Sequence, residues 1–300
     1  MPEAGPEPPP DLPPDLPPLR EVIARHGLSA RRSFGQHFLL DLNLTGRMVR
    51  GLEGFLPGPA GDLAQGTVIE VGPGPGGLTR TLLAAGTRRL IAIEKDRRCL
   101  GALAELTAAY PDRLEVVEAD ALKVAAEALG AAPRRIVANL PYNVATPLLL
   151  RWLAALAAEP GAFAGLVLMF QKEVAERLTA VPSTKAYGRL SVVTQWLCEA
   201  RPLFEVPARA FTPPPKVVST VVGLKPRARP LAPAPMAALE RVTAAAFGQR
   251  RKMLRSSLKL LGLDVEGLGL DPAARAEELD VEDFCTLARA LEAMPGQPRS

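Results

Sequence analysis

The sequence has few of the residues that build disulfide frameworks, zinc sites or membrane spans. Its 300 residues contain only three cysteines, Cys99, Cys198 and Cys285, which lie far apart and form no CxxC pair. We therefore expect neither a disulfide scaffold nor a metal site, and the chain fits a reducing cytoplasm. No apolar run approaches the roughly 20 residues that cross a bilayer. The N-terminus also lacks the basic-then-apolar order of a secretion signal.

Histidine is scarcer still, which limits the acid–base machinery that the chain could carry. The two histidines, His26 and His37, are expected to be packing or loop residues rather than catalysts. Hydrophobic residues make up 48% of the chain and charged residues 23%. That composition is ample for one core of ordinary size with an appendage.

The net charge of +4 hides a strong asymmetry along the chain. Between Arg201 and Leu260 there are twelve Lys or Arg against two Asp or Glu, whereas residues 261–300 hold three against nine. A concentrated basic segment favours a polyanionic partner. A charged face that is merely solvated is the alternative from charge alone.

The composition predicts a tail, a sheet domain and a helical domain. Residues 1–18 hold nine prolines among acidic and small residues, which is typical of a disordered or polyproline-like tail. Residues 19–230 are expected to form the sheet domain. A proline-rich linker at 226–235 leads into a helical pattern, so residues 231–300 are expected to form a smaller, all-helical domain.

Apolar strands alternate with helices in the central part of the chain, which predicts a parallel, doubly wound α/β sheet. The predicted elements, in order, are strand Thr67–Val71, helix Leu78–Ala85, strand Leu90–Glu94, helix Asp96–Ala109, strand Leu114–Glu118, strand Arg135–Ala138, helix Thr146–Ala157, strand Gly165–Phe170, helix Lys172–Thr179 and strand Val217–Leu224.

A glycine-rich loop joins the first predicted strand to its helix. Gly72, Gly74 and Gly77 satisfy the dinucleotide-binding fingerprint, and Glu94 follows at the end of the second strand. Glycines let the backbone approach a ligand closely, and an acid at that place accepts hydrogen bonds from ribose hydroxyls. The loop by itself is compatible with NAD, with S-adenosylmethionine and with a turn that binds no ligand.

Two details favour S-adenosylmethionine as the cofactor. Pro73 and Pro75 remove two backbone N–H donors that a pyrophosphate would need. Asp120 follows the third strand, where it can accept a hydrogen bond from an adenine amino group. An N-cap for the next helix is the alternative role for Asp120, and the two roles are compatible.

The tetrapeptide Asn139-Leu140-Pro141-Tyr142 follows the predicted strand Arg135–Ala138. Open α/β sheets build their ligand sites at this end of the strands. An amide and turn carbonyls can accept from an amine, and a tyrosine can stack on a flat ring. The segment therefore predicts a pocket for an amino-bearing base such as adenine.

With these motifs in this order, the chain resembles the ribosomal RNA adenine dimethyltransferases from about Leu19 to about Ala293. Within that family it looks most like the bacterial enzymes that act on small-subunit RNA. The resemblance implies a Rossmann-like, S-adenosylmethionine-dependent methyltransferase sheet with a small helical C-terminal domain. Four further stretches match the family: Phe34–Leu39, Lys185–Ser191, Phe211–Val217 and Gln249–Lys252.

The resemblance also implies roles for single residues. His37 and Leu39 would line the cofactor pocket, although the family often has Asn in place of His37. Asn139 would bridge cofactor and target amine, with Leu140 and Pro141 supplying carbonyls. The remaining assignments are Gly72 to the methionine part of the cofactor, Glu94 to its ribose, Asp120 to its adenine, and Tyr142 and Phe211 to the two faces of the target base.

Two basic segments are expected to bind the backbone of ribosomal RNA. The first is the loop that carries Arg31 and Arg32. In the second, Phe247–Leu261, we expect a helix with a stripe of cations at i, i+4 and i+8, which suits a row of phosphates; solvated helix surface is the alternative. The residues concerned in this segment are Arg250, Arg251, Lys252, Arg255 and Lys259.

The resemblance implies an enzyme that dimethylates two adjacent adenines in a loop of 16S ribosomal RNA, with the immature small subunit as its partner. The sequence shows no obvious oligomer interface, so we expect a monomer, and the cysteine usage fits the cytoplasm. Alternatives are a large-subunit RNA methyltransferase and a ribosome-assembly factor that methylates only incidentally. A DNA adenine methyltransferase would usually carry Pro in place of Leu140. A nicotinamide-dependent dehydrogenase rests on the glycine loop alone.

Overall fold

The computed structural model describes residues 16–31, 35–56, 58 and 61–294. The predicted proline-rich tail falls almost entirely outside these residues, as does Arg32. None of the helices in the described part of the chain combines the length and apolar character that a bilayer span requires.

A mixed sheet of seven strands forms the centre of the molecule, in the order β4-β3-β2-β5-β6-β9-β7. The first five strands are mutually parallel, and β9 runs antiparallel to both of its neighbours. A separate two-stranded ribbon pairs β1 with β8. The strands are β1 Phe38–Leu39, β2 Thr67–Val71, β3 Leu90–Glu94, β4 Leu114–Glu118, β5 Arg134–Asn139, β6 Gly165–Gln171, β7 Cys198–Val206, β8 Phe211–Thr212 and β9 Ser219–Pro226.

Helices cover both faces of this sheet. Ile136 and Ala138 of β5 pack into the cluster on one face, whereas Val137 packs into the cluster on the other. Because both faces are buried, the central strands read as continuous apolar runs. The helices are α1 Leu19–Arg25, α2 Leu42–Phe55, α3 Gly77–Ala84, α4 Leu100–Ala109, α5 Tyr142–Ala158, α6 Lys172–Thr179, α7 Arg189–Leu197, α8 Met236–Gly248, α9 Leu254–Ser257 and α10 Val281–Ala293.

The predicted α/β fold is confirmed, but the sheet is not wholly parallel. The late β run forms β9, which returns antiparallel along β6. The sequence pattern did not predict the strand β7 or the helix α7 that precedes it. Strand β7 lies at the edge of the sheet, where charged residues and Pro202 are tolerated and hide the apolar pattern.

The C-terminal helices pack onto the sheet domain rather than standing apart. Phe247 of α8 stacks on Phe284 of α10 with ring centroids 5.3 Å apart. One continuous hydrophobic cluster extends from Ile69 in β2 to Leu291 in α10. The division near residue 230 stays a prediction, with the proline-rich segment connecting β9 to α8.

The expected helix through Phe247–Leu261 is wrong. Helix α8 ends at Gly248, a turn follows, and α9 covers only Leu254–Ser257 before a short 3₁₀ helix at Lys259–Leu261. Gln249 caps α8 outside helical geometry, and the amide of Lys252 donates to its carbonyl at 2.8 Å. The turn breaks the periodicity that the cation spacing suggested.

One strand residue breaks the apolar rule of the sheet interior. Glu70 of β2 is only 1% exposed, and its Oε2 has no hydrogen-bond partner among the described residues. Burial, assisted by the nearby Glu94, raises the pKa of Glu70 to about 8. The carboxyl is therefore largely protonated at neutral pH.

We expect the buried Glu70 to make the protein less stable as pH rises from about 4.5 to about 8. In this window the unfolded chain has released the proton while the folded chain still holds it, so raising the pH favours unfolding. Replacing Glu70→Gln should flatten this part of the profile, as measured by denaturant unfolding at several pH values.

The exposed acid Glu53 of α2 provides the control for this experiment. Glu53→Gln should leave the slope of stability against pH as in the wild type. A Glu70→Gln protein that loses stability between these pH values as steeply as the wild type would contradict the assignment of the proton to Glu70.

Candidate active site

The carboxyl ends of β2, β3 and β5 open into a cavity of about 280 Å³. Parallel pairing brings these three ends to the same edge of the sheet. Five chain segments line the cavity: residues 35–39, the glycine loop at 70–78, residues 93–96, residues 119–122 and the segment 139–144. The motifs from the sequence thus converge at one place.

The glycine loop can take its path only with glycine at key positions. Gly72 has φ +70°, a conformation that other residues rarely adopt. A Cβ on Gly77 would lie 2.6 Å from the carbonyl oxygen of Leu39, so no side chain fits there. The loop is thereby held against β1, and α3 begins directly behind it.

Glu94 ties the glycine loop to the next strand. Its Oε2 accepts from the amide of Gly74 at 2.9 Å and its Oε1 accepts from the amide of Asp96 at 2.7 Å. Burial raises the pKa of Glu94, since the carboxyl is only 4% exposed. Each carboxylate oxygen can accept more than one hydrogen bond, so ribose hydroxyls can still be bound here.

Asp120 adopts the N-cap role that the sequence left open. Its Oδ1 accepts from the amide of Leu122 at 3.1 Å, which caps a short 3₁₀ helix. Its Oδ2 accepts from Lys95 Nζ at 2.7 Å. The hydrogen bond from Lys95 lowers the pKa of Asp120, so the residue faces the cavity as a carboxylate.

Asn139 is the last residue of β5 and lines the cavity. Its Nδ2 donates to the carbonyl oxygen of His37 at 3.3 Å, and its Oδ1 has no donor among the described residues. The Pro141 carbonyl accepts from the amide of Val144 in the first turn of α5, whereas no backbone amide of the described chain donates to the Leu140 carbonyl. The free acceptors here are therefore Asn139 Oδ1 and the Leu140 oxygen.

Three rings meet beside these acceptors. The imidazole of His37 lies 5.5 Å from the ring of Tyr142 and 6.5 Å from that of Phe211, measured between centroids. The Tyr142 hydroxyl shares a 2.5 Å hydrogen bond with Ser219 Oγ, which fixes its ring. Phe211 is only 2% exposed. A base could therefore stack on Phe211 only after a group that covers this ring is displaced.

The β1–β8 ribbon explains how His37 and Phe211 come together. Leu39 pairs with Phe211 and Phe38 pairs with Thr212, although the two strands are far apart in sequence. One residue further along, His37 Nδ1 and the Pro213 carbonyl oxygen lie 2.7 Å apart. With the proton on Nδ1, the imidazole donates to this carbonyl. This hydrogen bond extends the pairing of β1 with β8 beside the mouth of the cavity.

The basic residues expected to bind RNA lie on separate elements. Arg31 is exposed, and its amide donates to the side chain of Gln36 at 3.0 Å. Arg250 is half-buried, where Nε donates to Glu277 at 2.6 Å and Nη2 to the Thr184 carbonyl at 3.1 Å. The remaining four of the C-terminal segment are exposed: Arg251, Lys252, Arg255 and Lys259.

Sequence reasoning missed three residues of the site. Glu70 lines the cavity below the glycine loop, Gln36 donates to Asp96 at 3.1 Å, and Ser219 holds Tyr142. An acid inside the apolar run Thr67–Val71 was a readable signal for Glu70. No local pattern marks Ser219, because its role depends on β9 passing beside α5. Within the described ranges no cluster of acidic, histidine or cysteine residues is arranged to hold a metal ion.

Comparisons with known proteins agree with this geometry. The sequence profile of the family described as "Ribosomal RNA adenine dimethylase" matches residues 27–293. A protein named "Ribosomal RNA small subunit methyltransferase A" from Rhodospirillum rubrum is 66% identical, over 92% of this chain and 92% of its own length. Its namesake from Paramagnetospirillum magneticum is 64% identical, over 92% of this chain and 95% of its own length.

Two solved structures share the fold. A dimethyladenosine transferase from Plasmodium falciparum aligns with a TM-score of 0.67 at 25% identity, over 84% of this chain and 96% of that chain. The 23S rRNA methyltransferase ErmE aligns with a TM-score of 0.62 at 27% identity, over 85% of this chain and 99% of that chain. The sheet is that of a Rossmann-like methyltransferase, and the chain belongs to the ribosomal RNA adenine dimethylase family.

Proposed function

We propose that this methyltransferase transfers methyl groups from S-adenosylmethionine to the exocyclic amines of two adjacent adenines in a loop of small-subunit (16S) ribosomal RNA. The observation that carries the proposal is the meeting of two sites in one cavity. Glu94 and Asp120 lie on one side, and the free acceptors of Asn139 and Leu140 lie on the other.

The residues present fit the adenosyl cofactor. Pro73 and Pro75 remove two of the backbone N–H donors that a pyrophosphate would need, whereas a sulfonium cofactor carries no phosphate. Glu94 would accept from the ribose, and Asp120 from the adenine amine. A Cβ on Gly72 would lie 3.4 Å from the side chain of Pro141. Because Gly72 has no side chain, the methionine part of the cofactor would have room to lie close to the tetrapeptide.

Bound S-adenosylmethionine would supply an activated methyl group for in-line displacement by nitrogen. The chain itself then has to orient the amine and raise the electron density on it. Asn139 Oδ1 and the Leu140 carbonyl can accept its two N–H groups, which holds the nitrogen lone pair out of the plane of the ring. Asn139 is itself oriented by its bond to the His37 carbonyl.

The target base would stack against the aromatic cluster. Tyr142 offers a ring that Ser219 holds in place, and Phe211 would take the other face of the base once the groups that cover its ring are displaced. A base reaches such a pocket only outside a helical stack, so the substrate is single-stranded, looped or flipped RNA. His37 and Leu39 would complete the wall shared with the cofactor.

The small subunit is favoured over the large subunit as the substrate. The relatives at 66% and 64% identity carry a small-subunit name, whereas the large-subunit enzyme ErmE is only 27% identical. Arg31, Arg32 and the cations from Arg250 to Lys259 would bind the RNA backbone of an immature small subunit. We expect the protein to work in the cytoplasm as a monomer.

An assay of methyl transfer tests this function. The wild-type protein should transfer labelled methyl from S-adenosylmethionine to undermethylated small ribosomal subunits, and nucleoside analysis should find dimethyladenosine. Asn139→Ala should reduce the rate by about a hundredfold, in line with the loss seen when one preorganised hydrogen-bonding group that stabilises a transition state is removed. Its affinity for the cofactor should change little.

The paired cofactor measurement separates chemistry from folding. Equal losses of cofactor affinity and of methyl transfer in Asn139→Ala would show that the residue is structural. Labelled methyl that appears in large-subunit RNA and not in small-subunit RNA would contradict the choice of substrate. Thermal protection by NAD without protection by S-adenosylmethionine would contradict the cofactor.

The exposed C-terminal cations should contribute to the salt dependence of RNA binding. Replacing Arg251, Arg255 and Lys259 together by Ala should weaken binding and reduce the slope of log affinity against log salt by about 0.7 to 0.9 for each phosphate that is no longer neutralised. The control replaces three exposed arginines elsewhere, Arg88, Arg151 and Arg229, by Ala. Identical slopes for the two triple variants would leave the C-terminal cations without a role in RNA binding.

A further inference from the structure

A line of arginines follows the seam between α2 and the edge strand β7, away from the basic segments discussed above. Arg47 and Arg50 lie on α2, Arg201 lies on β7, and Arg209 follows that strand. All four residues are exposed. We call this surface, defined by Arg47, Arg50, Arg201 and Arg209, the arginine seam.

Two phenylalanines interleave with these arginines. The Arg47 guanidinium carbon lies 4.1 Å from the centroid of Phe204 on β7, and that of Arg201 lies 6.0 Å from the centroid of Phe55 on α2. Both stacks therefore connect α2 to β7: in one the arginine comes from the helix, and in the other it comes from the strand. A guanidinium on an aromatic face is held in orientation while the N–H groups at its edge stay available to an acceptor.

Carboxylates neutralise only part of this charge. Within the described residues no carboxylate lies within ion-pair distance of Arg47 or Arg209. Arg201 approaches Glu199 only to 3.7 Å, and both side chains are exposed, so the pair is weak. Glu205 pairs instead with Lys172 at 2.7 Å. Glu53 is the one acid within α2. A net positive charge remains along the seam.

The seam leads to the mouth of the cavity. Both β6 and β7 run antiparallel to β9, so β7 ends at the same edge of the sheet as β6. Arg209 lies two residues before Phe211, which β8 places against β1 beside His37. From Arg201 through the Arg47–Phe204 stack to Arg209, the positive charge approaches the aromatic cluster of the active site.

We propose that the arginine seam binds the phosphate backbone of the RNA next to the target adenines and leads that strand to Phe211. The proposal rests on the proposed function, since it supplies the path by which that substrate enters. Planar guanidinium groups suit paired hydrogen bonds to phosphate. Contacts with phosphate position an RNA strand without reading its sequence, so the seam sets the register of the loop.

The test compares two double variants that each remove two positive charges. Arg47→Gln with Arg209→Gln changes the seam and keeps part of each side-chain stem. The control, Arg88→Gln with Arg229→Gln, changes two exposed arginines at the opposite edge of the sheet, before β3 and after β9. The probes are undermethylated small ribosomal subunits and the deproteinised RNA extracted from them.

We expect the seam variant to bind both probes more weakly than the control at low salt. Its slope of log affinity against log salt should be shallower by about 0.7 to 0.9 for each arginine removed. The dissociation constant for S-adenosylmethionine should match that of the control, because neither arginine lines the cavity. Loss of the exposed Arg47–Phe204 stack should lower the melting temperature only slightly.

Equal affinities and slopes for the two variants would overturn the proposal. A loss on intact subunits without a loss on deproteinised RNA would also overturn it, because that result marks a protein partner. These outcomes are distinct from a failure of the proposed function. If the wild type transferred no methyl group, but the seam variant still bound RNA more weakly and with a shallower salt slope than the control, the proposed function would be wrong. The proposal for the arginine seam would remain supported.

Discussion

The parallel pairing of β2 with β3 and β5 is the constraint on which the site depends. It brings the ends of three strands to one edge, so that the glycine loop, Glu94 and Asn139 share a cavity although they are spread along the chain. Close packing of both faces against helices holds the strands in this register, because a shifted strand would present side chains of different volume to each layer. The site is then completed by loops that the sheet positions.

A second constraint is the small β1–β8 ribbon. Two backbone pairs bring His37 and Phe211 together from distant parts of the chain, and the hydrogen bond between His37 and Pro213 closes the ribbon. The carbonyl of His37 in turn orients Asn139. One short ribbon thereby links the aromatic cluster, the side-chain amide of Asn139 and the segment 35–39, which all line or border the cavity. The arginine seam ends at the same ribbon.

Ionisable groups are in different environments in the cavity and on the surface. Inside the cavity, Glu70 and Glu94 are buried with raised pKa values, whereas Asp120 stays ionised beside Lys95. The surface carries exposed arginines, two of them stacked on phenylalanine rings. Stacking confines these long side chains before any RNA arrives, which reduces the conformational entropy cost of binding. The exposed arginines thus give the surface a positive charge, whereas the cavity is lined by buried or hydrogen-bonded carboxyl groups.

Local patterns in the sequence predict the five parallel strands, the glycine loop and the tetrapeptide, because apolar periodicity and the placement of glycine or proline act within a few residues. The cap role of Asp120, one of two roles that the sequence left open, depends only on the next turn of chain. Other features depend on contacts between segments that lie far apart in the sequence, and local patterns do not predict them. A turn after Gly248 divides the expected cation stripe between short helices, and Arg250 pairs with Glu277. The arginine seam exists only because α2 packs against β7, whose edge position hid it from the sequence pattern.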